Sequence, residues 1–198
     1  ISLLQLQQAL SSSGRWIQVI LMIAWLGLRP AAGVERMGAK GASVADLMAG
    51  KRGLIMGVAN DRSIAWGIAQ ACHAEGAELA FTFQGEALQK RVAPLAASVD
   101  SDIVLPCDVT HNASMDAVFE TLKERWGRLD FVVHAIGFAD KNELRGRYLD
   151  TSEGNFSTAM LISVYSVTAV IQRAEKLMTE GGSCLTLTYY GAEKVMPH

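Results

Sequence analysis

The sequence predicts an α/β fold in which one doubly wound parallel β-sheet carries helices on both faces. From residue 51 onward, short apolar runs alternate with longer amphipathic stretches. Short apolar runs are typical of strands that are buried on both sides of a sheet. Apolar residues that recur at spacings of three and four are typical of helices with one buried face. Strands and helices that alternate in this way form right-handed βαβ units, and hence a parallel sheet.

Five strands and three helical faces are predicted. The strands are the apolar runs at 54–56, 79–83, 103–105, 131–133 and 184–188. The helical faces comprise Ile64, Ile68, Ala71 and Cys72; Met115, Val118, Phe119, Leu122 and Trp126; and Leu161, Val164, Tyr165, Thr168 and Ile171. Gly76 and Gly127 mark helix ends. Because ligands of such sheets bind beyond the carboxyl ends of the strands, the segments that follow the first four strands are the candidate site.

The composition is that of an ordinary globular domain. The 198 residues are 50% hydrophobic and 19% charged, which excludes a disordered chain. The net charge of −2 gives no basic surface for a nucleic acid. Cys72, Cys107 and Cys184 are odd in number and scattered, which favours a reducing compartment such as the cytoplasm over a disulfide framework or a zinc site. We therefore expect no metal.

The first 36 residues do not match the rest of the chain. Residues 16–28 are apolar and uncharged, but they are fewer than the roughly 20 residues that a helix needs to span a bilayer. They resemble the apolar part of a signal peptide, and a targeting segment is one interpretation. Since Met37 opens a polar stretch like an ordinary N-terminus, we expect residues 1–36 to be an extension outside the fold, and residues 37–198 to form the domain.

The loop after the first strand has features of a phosphate-binding turn. Gly57 frees the backbone to turn sharply. Ser63 and Ile64 open a helix whose unpaired N–H groups and positive dipole end can hold a pyrophosphate. Gly67 is expected to let this helix approach the sheet closely. The loop lacks the GxGxxG pattern, and a plain turn followed by a helix cap would explain it equally well.

Residues 57–71, GVANDRSIAWGIAQA, resemble the cofactor loop of the enoyl-acyl-carrier-protein reductases. These enzymes are a divergent branch of the short-chain dehydrogenase/reductases, whose ordinary members carry TGxxxGxG instead. The likeness depends on a glycine followed six residues later by Ser-Ile-Ala-x-Gly, and it extends over about residues 48–198. It implies a Rossmann-like fold, here without the family's last strands.

The resemblance also implies an activity and partners. The family reduces the trans-2 double bond of enoyl-acyl-carrier-protein thioesters by hydride transfer from NADH, in the cytoplasmic type II synthesis of fatty acids. The acyl chain arrives on acyl-carrier protein, which is acidic, and the family is homotetrameric. The long apolar helix predicted at about 155–176 could bury a face between subunits or against its own sheet, and periodicity leaves both open.

The end of the second strand bears on which dinucleotide binds. Gln84 is neutral, and the first bases, Lys90 and Arg91, come a helical turn or more later. A 2′-phosphate would find no immediate counter-charge there, which favours NADH over NADPH. The resemblance agrees, since NADH-using relatives have glutamine at this point. A polar start of a loop is the alternative interpretation.

The resemblance assigns further contacts at the third and fourth strand ends. It implies that Asp108 and Val109 contact the adenine, although Asp108 could instead cap the next helix. It places Ile136 against the nicotinamide half of the cofactor and Ala139 beside the acyl substrate. Gly137 permits a close approach of the backbone to the cofactor.

The catalytic chemistry needs a donor for the enolate oxygen that forms when hydride reaches the β-carbon. A tyrosine hydroxyl can stabilise that charge, and a lysine near the nicotinamide ribose can hold the cofactor. The resemblance implies that Tyr189 is the first of two family tyrosines; the second, and the lysine beyond it, would follow His198. Tyr189 could also be a plain strand-end aromatic. His134 ends a buried strand, so a structural role is favoured over a catalytic one.

Two alternative functions are open. Ketone and alcohol dehydrogenases of the superfamily carry Asn-Asn-Ala-Gly after the fourth strand and a serine after the fifth, whereas this chain has His-Ala-Ile-Gly at 134–137 and two tyrosines at 189–190. Both differences favour the enoyl reductase. The absence of the second tyrosine and the lysine from this sequence motivates the other alternative, a non-catalytic NAD-binding or regulatory module.

We expect residues 1–198 alone to reduce enoyl thioesters poorly or not at all, because the second tyrosine and the lysine that clamps the ribose are not in the sequence. The measurement is NADH oxidation in the presence of a crotonyl thioester. Measurable turnover would contradict this expectation.

Overall fold

In the part of the chain that the structure describes, six strands lie parallel in a single sheet. A computed structural model describes residues 17–24 and 47–189, with side chains for residues 47–188. In chain order the strands are β1 (Ile17–Ala24), β2 (Arg52–Met56), β3 (Glu78–Phe83), β4 (Val104–Pro106), β5 (Phe131–His134) and β6 (Gly182–Tyr189). They are arranged in the order β1-β6-β5-β2-β3-β4.

Helices connect the strands from β2 onward. They are α1 (Ile64–Ala74), α2 (Glu86–Ala97), α3 (Asn112–Trp126), α4 (Glu153–Met160) and α5 (Ser166–Ala174). A five-residue π-helical turn, Leu161–Tyr165, joins α4 to α5. Two short 3-10 turns, Lys141–Glu143 and Tyr148–Asp150, lie between β5 and α4.

The sheet separates two hydrophobic cores, because successive side chains of a strand point to opposite faces. On one face, α3 and α5 pack against strand residues that include Leu54, Met56 and Val132. On the other face, α1 and α2 pack against residues that include Ile55, Phe81 and Val133. The prediction of a doubly wound parallel sheet with helices on both faces is therefore confirmed.

The strand order reverses between β2 and β5. From β2 the chain proceeds outward to β3 and β4, then crosses back to place β5 on the other side of β2, with β6 beyond it. Loops that leave β2 and β5 therefore diverge to opposite faces, which opens a crevice at their carboxyl ends. This point of reversal is where open α/β sheets bind their ligands.

The carboxyl ends of β2 and β5 approach each other so closely that only glycine fits at position 57. Gly57 has a φ of +97°, and a Cβ built on it would lie 2.1 Å from the carbonyl oxygen of Ala135. The Ala135 N–H donates to the Met56 carbonyl at 3.0 Å, which fixes the two segments side by side. The sharp turn expected at Gly57 is confirmed, and a close contact with Ala135 accompanies it.

The structure differs from the sequence-based expectations at several places. Residues 17–24, expected to lie outside the fold, form β1 and pair in parallel with β6 along its whole length. An apolar, uncharged run can take the open edge of β6, whose main-chain groups need partners. The proposed boundary at residue 37 lies outside the described residues.

A second difference is helix α2, which has no counterpart among the predicted helices. Only Val92 and Ala96 are buried in it, so its sequence shows no apolar helical face.

The third difference concerns Gly67. It was expected to let α1 approach the sheet closely, but it is exposed, and a Cβ built on it would meet no atom within 4 Å. The face of α1 that packs on the sheet is formed instead by Ala65, Trp66 and Ala69. The expectation for Gly67 was therefore wrong.

The predicted face of α1 was wrong in part, because Ile64 and Ala71 are exposed. The predicted face at 161–171 was also wrong in part, because Leu161, Val164 and Tyr165 are exposed and only Ile171 of that set is buried.

Within the described residues, one helical stretch is long and apolar enough to cross a membrane by length and composition, namely Glu153–Ala174. It consists of α4, the π-helical turn and α5. Its second half packs on the sheet through buried residues such as Ala169, Val170 and Ala174. Its first half, α4, has no buried residue. The stretch is thus a core helix at one end and a surface helix at the other.

Gly57→Ala is expected to lower the free energy of unfolding by about 3 kcal/mol, because the alanine would be strained at positive φ and its Cβ would overlap the Ala135 carbonyl. Gly67→Ala is the matched control. It should raise stability by up to about 1 kcal/mol, since alanine is the better helix former. Urea unfolding followed by circular dichroism measures both, and equal effects would contradict the assignment of Gly57.

Candidate functional site

A cavity of about 340 Å³ lies beyond the carboxyl ends of β2, β3, β4 and β5. Residues at or just after these four strand ends form most of its wall, and the π-helical turn contributes one side chain. The lining residues are Gly57, Val58, Ala59, Thr82, Phe83, Gln84, Leu88, Cys107, Asp108, Val109, Ala135, Ile136, Gly137, Phe138 and Ile162. The cavity occupies the position that the parallel topology predicts for a ligand site.

Six residues that the sequence assigns to cofactor binding lie together in this wall. They come from segments that are far apart in the chain and are Gly57, Gln84, Asp108, Val109, Ile136 and Gly137. Gly57 follows β2, Gln84 follows β3, and the remaining four follow β4 and β5. Their role in binding a cofactor stays a prediction, but their placement around one cavity is a property of the fold.

Ser63 and Ile64 lie beside this cavity rather than in its wall. The Ser63 hydroxyl accepts hydrogen bonds from the N–H groups of Ala59 and Asn60, both at 3.0 Å, and so braces the loop that follows Gly57. It makes no side-chain cap to α1. The N–H groups of Ile64 and Ala65 consequently have no partner within residues 47–188. Such free donors at a helix start suit an anionic group.

Gln84 and Asp108 meet at one end of the cavity. The Gln84 Nε2 donates to Asp108 Oδ2 at 2.9 Å. Asp108 Oδ1 accepts from both the N–H and the hydroxyl of Thr110, at 2.8 and 2.6 Å. Partial burial raises the pKa of Asp108, but the hydrogen bonds from Thr110 and Gln84 and the adjacent His111 outweigh it and hold the pKa below its ordinary value. An ionised carboxylate therefore stands at the cavity.

Asp108 does not cap the following helix. Helix α3 begins at Asn112 with His111 at the N-cap position, and the Asp108 side chain instead turns back onto Thr110. The Ser114 hydroxyl accepts from the Asp108 N–H at 2.9 Å, which anchors the same turn from the helix side. The alternative interpretation of Asp108 as a simple helix cap is therefore wrong.

Some wall residues were not identified from the sequence. Thr82 is buried within β3, and Cys107 directly follows β4, so strand-end position is a signal that could have found both. Burial, with a smaller effect of the Asp108 charge, raises the pKa of the Cys107 thiol to about 11, and this cysteine is uncharged at neutral pH. Ile162 comes from the π-helical turn, and no sequence signal pointed to it.

His134 is buried, as its place at the end of a strand predicted, and a structural role stays the favoured interpretation. Its Nε2 lies 2.8 Å from the Ser166 hydroxyl, and that hydroxyl donates to the Ile162 carbonyl. Because the Ser166 proton is engaged there, the His134 Nε2 carries the hydrogen and donates to the serine. The His134 Nδ1 is buried with no partner among the described residues. Burial lowers the pKa of His134 to about 4, and the residue does not line the cavity.

Of the two residues assigned to substrate and catalysis, Ala139 is not among the lining residues of the cavity. Ala139 follows the wall residue Phe138 and is half-buried. Tyr189 is the last residue of β6, and its side chain lies outside the described residues. Among the residues that the structure describes, no group of three His, Cys, Asp or Glu side chains is arranged to hold a metal ion.

Comparison with known families decides the relationship. The family model described as Enoyl-(Acyl carrier protein) reductase matches residues 57–198, which include the whole cavity wall. The chain belongs to this reductase family. The recognition of the family from residues 57–71 is confirmed.

Individual relatives support the same family. Enoyl-[acyl-carrier-protein] reductase [NADH] 2 of Rhizobium meliloti (strain 1021) is 66% identical over 152 residues, which are 77% of this chain and 57% of the relative. The crystal structure of FabI from Candidatus Liberibacter asiaticus matches with a TM-score of 0.75 and 57% identity, over 77% of this chain and 59% of that one.

A reductase of the same kind from Anaplasma phagocytophilum, solved in complex with NAD, gives a TM-score of 0.75 and 60% identity, over 78% of this chain and 59% of that one. The chain thus spans about three fifths of the length of the relatives it matches.

The buried His134 is expected to make stability fall in acid. Its pKa is 6.5 in the unfolded chain and about 4 in the fold, so the unfolded state gains a proton first as the pH drops. The free energy of unfolding therefore keeps its full value from the neutral His134 above pH 6.5. It falls between pH 6.5 and 4, by about 3 kcal/mol in all.

Urea unfolding at a series of pH values measures this loss. His134→Asn should remove this part of the pH dependence. Ser166→Ala is the control and should keep it, because burial is the cause of the shift. An unchanged profile in His134→Asn would show that other groups are responsible.

Proposed function

We propose that this chain is the cofactor-binding part of an NADH-dependent enoyl-acyl-carrier-protein reductase. Its reaction is the reduction of the trans-2 double bond of an enoyl thioester on acyl-carrier protein, in type II fatty acid synthesis. The observation that carries the proposal is the single cavity at the sheet's point of reversal, around which six residues of the family pattern converge. Because the chain belongs to the reductase family, we take the ligand of that cavity to be the reducing cofactor.

The residues around the cavity suit the three parts of a dinucleotide. Gln84 and the ionised Asp108 offer polar groups for the adenosine end. The N–H groups at the start of α1, which have no partner among the described residues, suit the pyrophosphate. Ile136 and Gly137, on the opposite wall, leave an apolar surface for the nicotinamide end. The relative from Anaplasma phagocytophilum was solved with NAD, which supports this choice of cofactor.

The negative charge of Asp108 favours NADH over NADPH. Gln84 is neutral and already donates to Asp108, so neither side chain supplies a positive charge for a 2′-phosphate. The nearby carboxylate would repel that phosphate. We therefore propose NADH as the reductant, and the charges of the described residues agree with the choice made from Gln84 alone.

In the reaction, NADH supplies hydride to the β-carbon of the enoyl thioester. The chain's own residues orient the two reactants. Ile136 and Gly137 form the wall against the nicotinamide end, and Ala139 is proposed to lie beside the acyl chain. Tyr189 is proposed to donate toward the thioester oxygen as negative charge develops on it. The α-carbon then takes a proton, which completes the addition of two hydrogens.

We further propose that the complete protein is a homotetramer. The α4 helix and the π-helical turn expose five large apolar side chains, Phe156, Met160, Leu161, Val164 and Tyr165. A contiguous apolar surface of this kind is typical of an interface. Periodicity left open whether this long helix packs on its own sheet or against another subunit. The α5 half packs on the sheet, and the α4 half, which has no buried residue, is available for another subunit. Sedimentation that gave a monomer at every concentration would contradict the tetramer.

A cytoplasmic location agrees with the thiols. Cys72, Cys107 and Cys184 are free, and Cys107 and Cys184 are buried within the fold. Free buried thiols suit a reducing compartment. The cytoplasm also holds the NADH and the acyl-carrier protein on which the proposed reaction depends.

The chain is expected to bind NADH at least about tenfold more tightly than NADPH. Gln84→Arg should reduce that preference about tenfold, because a guanidinium would bind the 2′-phosphate. Gln89→Arg is the matched control: it adds the same charge on the exposed surface of α2, outside the cavity wall, and should leave the preference unchanged. Fluorescence titration with each dinucleotide measures the dissociation constants.

The outcomes separate the candidate functions. Failure to bind NADH, or a preference for NADPH in the unaltered chain, would overturn the proposal. NADH binding without turnover of an enoyl thioester, in the complete natural product, would support the non-catalytic module instead.

A further inference from the structure

Ser163 holds the segment that follows β5 through a pair of hydrogen bonds. Its hydroxyl accepts from the Phe138 N–H at 3.0 Å and donates to the Phe138 carbonyl at 3.2 Å. One hydroxyl therefore engages both main-chain groups of a single residue. Phe138 stands in the cavity wall directly after Gly137, and its side chain is 52% exposed, so packing alone does not fix its position.

The rest of this segment has few attachments. The Ala135 N–H donates to Met56, and the Asp140 N–H donates to the Asn155 side chain. Between these two points, within residues 47–188, the main chain of residues 136–139 makes no hydrogen bond except those to Ser163. Among the described residues, Ser163 is thus the hydrogen-bond partner of this main-chain segment, and Ile136 adds a packing contact with the core.

Ser163 occupies the middle of the π-helical turn Leu161–Tyr165. Such turns hold one more residue than a regular helical turn and are frequent at functional sites. Ser166, three residues later, uses its hydroxyl on His134 at the end of β5. The helix therefore contacts the β5 segment twice, once at the buried strand end and once at the exposed loop. The two contacts differ, since Ser166 is fully buried and the Ser163–Phe138 contact borders the cavity.

We infer that Ser163 is a positioning residue for the nicotinamide end of the cofactor. It acts through the Phe138 main chain: by fixing that residue, it sets the position of Ile136 and Gly137 against the bound dinucleotide. Gly137 supports this role, because a Cβ there would lie 3.8 Å from the Ser163 oxygen, an ordinary contact, and the serine is thus directly behind the wall. The inference rests on the proposed function, since it concerns the same NADH site.

The test compares Ser163→Ala, Ser163→Thr and the control Ser157→Ala, which removes an exposed serine hydroxyl from α4. Loss of a hydrogen-bond pair that orders the wall should weaken NADH binding by about fivefold in Ser163→Ala. Threonine keeps the hydroxyl and should restore binding to within about twofold of the unaltered chain. Hydrogen exchange at the Phe138 amide should accelerate about tenfold in Ser163→Ala only. All three variants are made in the full chain.

The outcomes are separable. Unchanged NADH affinity in Ser163→Ala, or Phe138 exchange equal to that of the unaltered chain, would overturn the inference. Equal weakening in the alanine and threonine variants, together with a lower melting temperature, would also overturn it, because it would show a general structural role. If the unaltered chain itself binds no NADH, the proposed function fails, and this is recognised before any variant is compared.

Discussion

The contact between Gly57 and Ala135 is the constraint on which the site depends. A single methyl group at position 57 would lie 2.1 Å from the Ala135 carbonyl oxygen, so the ends of β2 and β5 can adjoin only because that group is missing. These two strands flank the point where the strand order reverses. Their spacing determines how far the Gly57 loop and the segment at 136–139 stand apart, and hence the width of the cavity between them.

The segments after β2 and β5, which form two walls of the cavity, are each braced by a serine from a helix start or turn. Ser63 accepts from the N–H groups of Ala59 and Asn60 on one side, and Ser163 contacts both main-chain groups of Phe138 on the other. In both cases a short hydroxyl substitutes for the ladder hydrogen bonds that end with the strand. The strands thus direct these segments toward the cavity, and the serine hydroxyls fix their main-chain positions.

Most of the sheet could be predicted from the sequence, because apolar runs report burial directly. The end of each strand then pointed to Gln84, Asp108 and Ile136, and the topology brings them around one cavity. Three features had no such signal. The exposure of Gly67 depends on the helix's rotation, the π-helical turn on a one-residue insertion in the helix, and the pairing of β1 with β6 on a contact between distant parts of the chain.

The pairing of β1 with β6 has a consequence for how the chain reaches its native state. Ile17 is the partner of Gly182, and Ala24 is the partner of Tyr189, so nearly the whole polypeptide separates the two strands in sequence. Contacts between such distant segments carry a large loop-closure cost and form late. Until β1 arrives, an eight-residue strand presents unpaired main-chain groups at the border of the sheet. That interval is when the molecule is most exposed to self-association through strand addition.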